Sequence, residues 1–159
     1  MTDSAIVAYT KGLRLYEDLR DTLNSTIIHT NLAILYKYRG LYDKALDHAF
    51  YAARAHERSG NRQALASAFN TISLVYLKLQ DRDQALSYAR KALLLRKAIG
   101  YQKGIAQSYT NLGEIWLALN QYDSALASLE QAYQLKNSLG DLHSVASTLN
   151  NLGNLYQRQ

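Results

Sequence analysis

Apolar residues recur along the chain at spacings of three and four, and the whole pattern returns every 40 residues. His29-x-x-Leu32-Ala33-x-x-Tyr36 is followed by Phe69-x-x-Ile72-Ser73-x-x-Tyr76, by Tyr109-x-x-Leu112-Gly113-x-x-Trp116 and by Leu149-x-x-Leu152-Gly153-x-x-Tyr156. Spacings of three and four put these positions on one face of an α-helix. The column Ala33, Ser73, Gly113, Gly153 holds only small residues, so a second helix can approach closely there. That second helix follows in each unit. It carries Ala45-Leu46, Ala85-Leu86 and Ala125-Leu126, then Ala52, Ala92 and Ala132 seven residues on.

The boundaries are punctuated. Asp3, Asp43, Asp83 and Asp123 stand where the second helices begin and are expected to cap their first amides. Gly60, Gly100 and Gly140 follow their ends, where glycine supplies a left-handed closing residue. Asn61 and Asp141 are capping types that open first helices; Tyr101 at the matching place is not, and Gly104 weakens that start further. The expected elements are eight helices at about 3–19, 22–39, 43–58, 62–79, 83–99, 102–119, 123–139 and 141–157. Short turns make them antiparallel neighbours. A fixed period of this size implies an all-α solenoid, in which each unit buries its apolar face only against the next. We divide residues 1–159, as one solenoid, into a lone second helix (3–20), full repeats 21–60, 61–100 and 101–140, and a lone first helix (141–159). Starting and stopping in mid-repeat suggests a piece of a longer array, or ends that pack on other copies.

These columns resemble the tetratricopeptide repeat, whose signature runs from an aromatic through Leu-Gly and Tyr to Ala-x-x-x-Phe and a closing Pro. The resemblance spans nearly the whole chain. It departs in its period of 40 rather than 34, in Ala49 and Ala89 where only Leu129 is bulky, and in having no closing proline. The departures are similar to the 40-residue class found in kinesin light chains and bacterial Rap-type regulators. HEAT and armadillo repeats share the period but lack the small-then-aromatic columns. The resemblance implies a right-handed superhelix of antiparallel helix pairs with its first helices lining the concave face. It implies a non-enzymatic, peptide- or protein-binding scaffold, the sensory or interaction module of a larger bacterial protein; the expected cytoplasmic location rests instead on the absence of cysteine, which favours a reducing compartment.

Composition adjusts this picture little. Of 159 residues, 48% are hydrophobic, enough for a packed core, and neither proline nor cysteine occurs. Absent cysteine removes disulfides and thiolate metal sites. The net charge of +5 is spread along the chain, whereas nucleic-acid binding wants a concentrated stripe. RNA binding through Arg54, Arg58, Arg62, Arg90, Lys91, Arg96 and Lys97, mainly on second helices, is thus an alternative behind a solvated face. Most of the 13 tyrosines are accounted for as core: Tyr36, Tyr76, Tyr109 and Tyr156 fall in packing columns, leaving Tyr38 and Tyr101 less explained. No apolar run is long enough to span a membrane. His29 falls in the large-residue column as a core histidine, and His48 and His56 imply no third zinc ligand. No cofactor and no catalytic residue is expected.

By helical phase the concave face carries Ile27, Thr30, Asn31, Ile34, Lys37 and Tyr38, then Ser67, Asn70, Thr71, Leu74 and Lys78. It continues through Gln107, Thr110, Asn111 and Glu114 to Ser147, Asn150, Asn151, Asn154 and Arg158. Asn31, Asn111 and Asn151 share one phase, with Asn70 and Asn150 one residue earlier. An amide both donates and accepts, so such a ladder can grip the main chain of an extended peptide. The other reading is that the amides bind adjacent helices. The peptide-binding candidates are Asn31, Asn70, Asn111, Asn150, Asn151, Lys37, Tyr38, Lys78, Gln107 and Glu114. The carboxylate clamp of co-chaperone members is not expected, because its places hold Thr30, Ile34, Thr71, Gln107 and Asn111. Self-association through the open ends is a further alternative.

Overall fold

A computed structural model describes residues 2–158, with side chains from Ser4 onward. Eight helices follow in order: α1 Thr2–Asp18, α2 Thr22–Tyr38, α3 Tyr42–Arg58, α4 Arg62–Lys78, α5 Arg82–Ala98, α6 Gln102–Ala118, α7 Tyr122–Ser138 and α8 Leu142–Tyr156. There is no strand among the described residues. Each helix packs on the next, as the short turns require, and the chain is an α-solenoid.

The backbone repeats at half the sequence period. Arg20, Gly40, Gly60, Gln80, Gly100, Asn120 and Gly140 all take a left-handed φ of 55–73°. Each turn closes alike: the amide after the left-handed residue returns to a carbonyl five residues back, as Leu41 N–H donates to Tyr36 C=O and Tyr101 N–H to Arg96 C=O. This is the double closure that ends a helix and turns the chain at once. Glycine makes it without strain at four turns, while Arg20, Gln80 and Asn120 accept a penalty of about 1–2 kcal/mol each.

Helix starts differ from expectation. Asn61 and Asp141 do cap, accepting from the amides of Ala64 and Ser144, and Asp21 and Asp81 act likewise on Asn24 and Gln84. Asp43, Asp83 and Asp123 do not. They lie inside the first turn, while Leu41, Asp81 and Gln121 occupy the cap position two residues earlier. What the three aspartates retain is an attraction to the positive helix end. The expected cap Asp3 lies outside the residues with described side chains. Tyr101 makes no side-chain cap, in keeping with its type.

The alanines of the second helices are buried completely at Ala45, Ala52, Ala85, Ala92, Ala125 and Ala132, letting each pair of helices close up. Gly113 lets a partner helix close in: a Cβ there would lie 2.7 Å from Leu129 Cγ. The same column ends differently. Gly153 faces open space, Leu149 is 49% exposed and Tyr156 59%. Tyr156 therefore does not pack as its column predicts, because no helix in this structure covers that side of α8.

Candidate functional site

The even-numbered helices bring their backbones together across the repeats, α2 with α4, α4 with α6 and α6 with α8, whereas among the described residues no two odd-numbered helices do so, and Phe50 of α3 reaches Tyr88 of α5 only through their rings, 5.8 Å apart. A stack that is tight on one side and splayed on the other curves toward the tight side. The first helices therefore line the inner wall.

The expected ladder reaches that wall in part. Asn111 is buried, and its amide is already engaged: Nδ2 donates to Asn70 Oδ1 in the next inner helix, and Oδ1 accepts from Gln107 Nε2 at 3.0 Å. Asn111 thus ties α4 to α6, and Asn70 and Gln107 present the accessible polar atoms. Asn31 is half-buried on α2 and Asn150 exposed on α8. Thr110, expected on the surface, is buried, because it accepts a bond from Lys136 at 2.8 Å.

A second group gathers one turn further along. Lys37 on α2, Lys78 on α4, Glu114 on α6 and Asn151 on α8 come from four successive inner helices. Glu114 keeps contact with solvent, yet burial pushes its pKa up, against a hydrogen bond from Asn151 and the charges of Lys78, Lys136 and Lys37. Burial lowers the Lys37 pKa, and Lys78 lowers it further. The Lys37 ammonium also lies 4.6 Å from the Tyr38 ring centre, and Tyr38 itself is 73% exposed. This mixed-charge stripe, with Lys78 and Glu114 open to solvent and Lys37 and Asn151 half-buried, can pair with a polar main chain or with charged side chains of either sign.

Sequence reasoning missed a buried set. Arg96, expected on a solvated face, is buried: Nη1 donates to Gly104 C=O at 3.1 Å and to Ser108 Oγ at 2.7 Å. Forty residues on, buried Lys136 donates to Thr110 and Thr148, both at 2.8 Å. Gly104 has room for the guanidinium only because it lacks a side chain; a Cβ would lie 2.9 Å from Arg96 Cδ and 2.4 Å from the Tyr101 ring. The signal was present in the pairing of Arg96 with Ser108 and of Lys136 with Thr148, each 12 residues apart. The other basic residues of that set, Arg54, Arg58, Arg62, Arg90, Lys91 and Lys97, are exposed. His29 is buried, with its Nδ1 2.8 Å from that of His48 and its ring stacked on Tyr51. No group of acidic, histidine or cysteine side chains suited to a metal occurs among the described residues.

A tetratricopeptide-repeat model matches residues 64–138 and again 104–159, two matches whose starts are one repeat apart. The chain belongs to the tetratricopeptide-repeat family. Repeats of this family mediate protein–protein interaction and are generally not enzymes. This tetratricopeptide solenoid is similar in fold to BtubC (BKLC) from P. vanneervenii, with a TM-score of 0.83, 24% identity and 98% of this chain covered. The chain spans 65% of that protein's length. It is also similar to a Podosopora anserina protein described as a kinesin light chain with nearly identical TPR-like repeats (TM-score 0.57, 11% identity, covering 99% of this chain and 88% of that one). A point variant of that protein gives a TM-score of 0.56 at 12% identity, covering 99% and 89%. No curated protein matches by sequence. Among the described residues no helix is long and apolar enough to cross a membrane.

Proposed function

We propose that the inner wall binds an extended polypeptide segment, and that the solenoid serves as the interaction module of a larger bacterial protein. The observation that carries the first part is the stripe of Lys37, Lys78, Glu114 and Asn151, to which four successive inner helices contribute one side chain each. A stripe that crosses helices rather than following one suits a ligand laid across the repeats. Asn70, Gln107 and Asn150 flank it with accessible amides, and Asn31 and Tyr38 extend it toward α2. The length of the BtubC chain beyond the matched part supports the second. The test is selection from a random-peptide library followed by affinity measurement on variants. Lys78→Ala and Glu114→Ala are expected to weaken selected peptides by about 1 kcal/mol or more each, as losing a charge-assisted hydrogen bond does. Peptides that bind both variants as tightly as the parent protein would overturn the reading.

One observation favours a second reading, association of copies end to end. The α8 face bearing Leu149, Gly153 and Tyr156 repeats the code that packs Tyr109 into the α5–α6 cluster and Gly113 and Trp116 against α7, yet is exposed. Light scattering across concentration decides it: growth in mass that Leu149→Glu abolishes supports stacking, and a constant monomer mass ends it.

A further inference from the structure

A cavity of about 210 Å³ opens between the N-terminal ends of α4, α6 and α8. Its lining includes Ser67, Arg96, Tyr101, Lys103, Lys136 and Asp141. Charge is unbalanced there. Arg96, Lys103 and Lys136 bring three cations against one carboxylate, and Asp141 already commits an oxygen to the Ser144 amide. Two of the cations are buried, with Arg96 only 6% exposed and Lys136 likewise 6%. Buried cations in proteins are normally paired with anions, since an uncompensated charge away from water is strongly unfavourable. Here neither has a carboxylate within ion-pair distance among the described residues: their direct partners are hydroxyls and one carbonyl. Arg96 Nε is buried with no acceptor at all. Burial lowers the pKa of both groups, and at Lys136 the more distant carboxylates of Asp141 and Glu114 offset this only in part.

We propose that this cavity is an oxyanion subsite, in which a carboxylate or phosphate group meets Arg96, Lys103 and Lys136. The group is one presented by a peptide on the inner wall, and in that respect the inference rests on the reading above. Gln107, which joins the cavity to the Asn70–Asn111 pair, places the two about 6 Å apart along the α6 axis, at 1.5 Å rise per residue. That is within reach of one acidic or phosphorylated side chain. The cations come from α5 and α7 and from the start of α6, not from the places a carboxylate clamp would use. Tyr101 acquires a role as well: its ring covers Gly104 and its hydroxyl end influences the Arg96 charge.

The test uses free anions and needs no peptide. Inorganic phosphate, acetate and chloride are titrated at matched ionic strength, following the Arg96 Nε–H resonance. A saturable shift with phosphate or acetate, but not with chloride, is expected. Tighter phosphate binding assigns a phosphorylated side chain; equal or tighter acetate binding assigns a carboxylate. Arg96→Gln risks the fold, so Lys103→Gln on the exposed rim is the companion variant, expected to weaken the anion about twofold to fivefold, the range of an exposed ion pair. No saturable movement at Arg96, or unchanged affinity in Lys103→Gln, overturns the subsite. A cavity that fails while peptides are still selected removes the subsite alone; failure to select any peptide removes the wall reading and the peptide as carrier of the anion, while a saturable shift at Arg96 would still mark the anion site.

Discussion

Leu112-Gly113-x-x-Trp116 on α6 and Leu152-Gly153-x-x-Tyr156 on α8 are nearly the same words in the same register, and their surroundings are opposite. Gly113 is buried against Leu129, with no space for a methyl group; Gly153 has nothing within 4 Å. The difference teaches that a repeat column encodes a capacity to pack, and that only a neighbouring helix turns that capacity into stability. In a solenoid the energy lies between units rather than within them.

The largest test of this contrast is truncation on either side of it. Leu129 is fully buried between Gly113 and the α8 residue Leu155. Leu129→Ala is expected to cost about 2–5 kcal/mol by losing apolar burial and leaving a cavity. Leu149→Ala, on the open face, is expected to stay within about 0.5 kcal/mol of the parent. Equal losses in urea unfolding would break the comparison.

A finer test reverses sign. Gly113→Ala forces a methyl against Leu129, and overpacking costs roughly 1–3 kcal/mol, more than the helix propensity of alanine returns, about 1 kcal/mol. Gly153→Ala gains that propensity with no clash. Thermal midpoints are expected to fall for the first and rise for the second, by about 2–4 °C per kcal/mol in a chain of this size.

The smallest expected effect compares two layers that are both covered. His29 and His48 in one repeat occupy the places of Phe69 and Tyr88 in the next. Phe69 and Tyr88 pack ring to ring at 5.7 Å, while the two histidines share a hydrogen bond. Burial, aided by His48, depresses the His29 pKa to about 4. The unfolded chain then binds protons before the folded one does. The contribution is complete above the unfolded value of about 6.5 and is lost as pH falls from there toward 4. Replacing the pair by the next repeat's residues, His29→Phe with His48→Tyr, is expected to reduce the fall in thermal midpoint between pH 7 and pH 5. An unchanged pH dependence would remove the histidines from the account.

Much of the architecture was legible because periodicity reports directly on which faces must be covered. The 40-residue columns marked eight helices, and Gly60, Gly100 and Gly140 marked where second helices stop. Other features depend on neighbours that a column does not name. Arg96 and Arg90 read alike as basic residues of one helix, yet Arg96 meets a hydroxyl and a missing side chain at Gly104 and is drawn inside. Asn111 shares its phase with Asn31, but it is Asn111 whose amide bonds to Asn70 on the adjacent inner helix. The acids Asp43, Asp83 and Asp123 were misplaced by two positions because tight turns bring the cap earlier than the apolar pattern suggests.

The turns carry one more consequence. Seven left-handed residues at 20-residue intervals, separating helices of nearly equal length, make inner and outer helices interchangeable as backbone. What distinguishes them is the side chains they interpose between neighbouring helices. Curvature is then a side-chain property that can be dialled independently of the chain's path: larger groups between inner helices would open the arc, and smaller ones would tighten it. A scaffold built this way can adjust the radius of its grip by point substitution, with every turn left as it is.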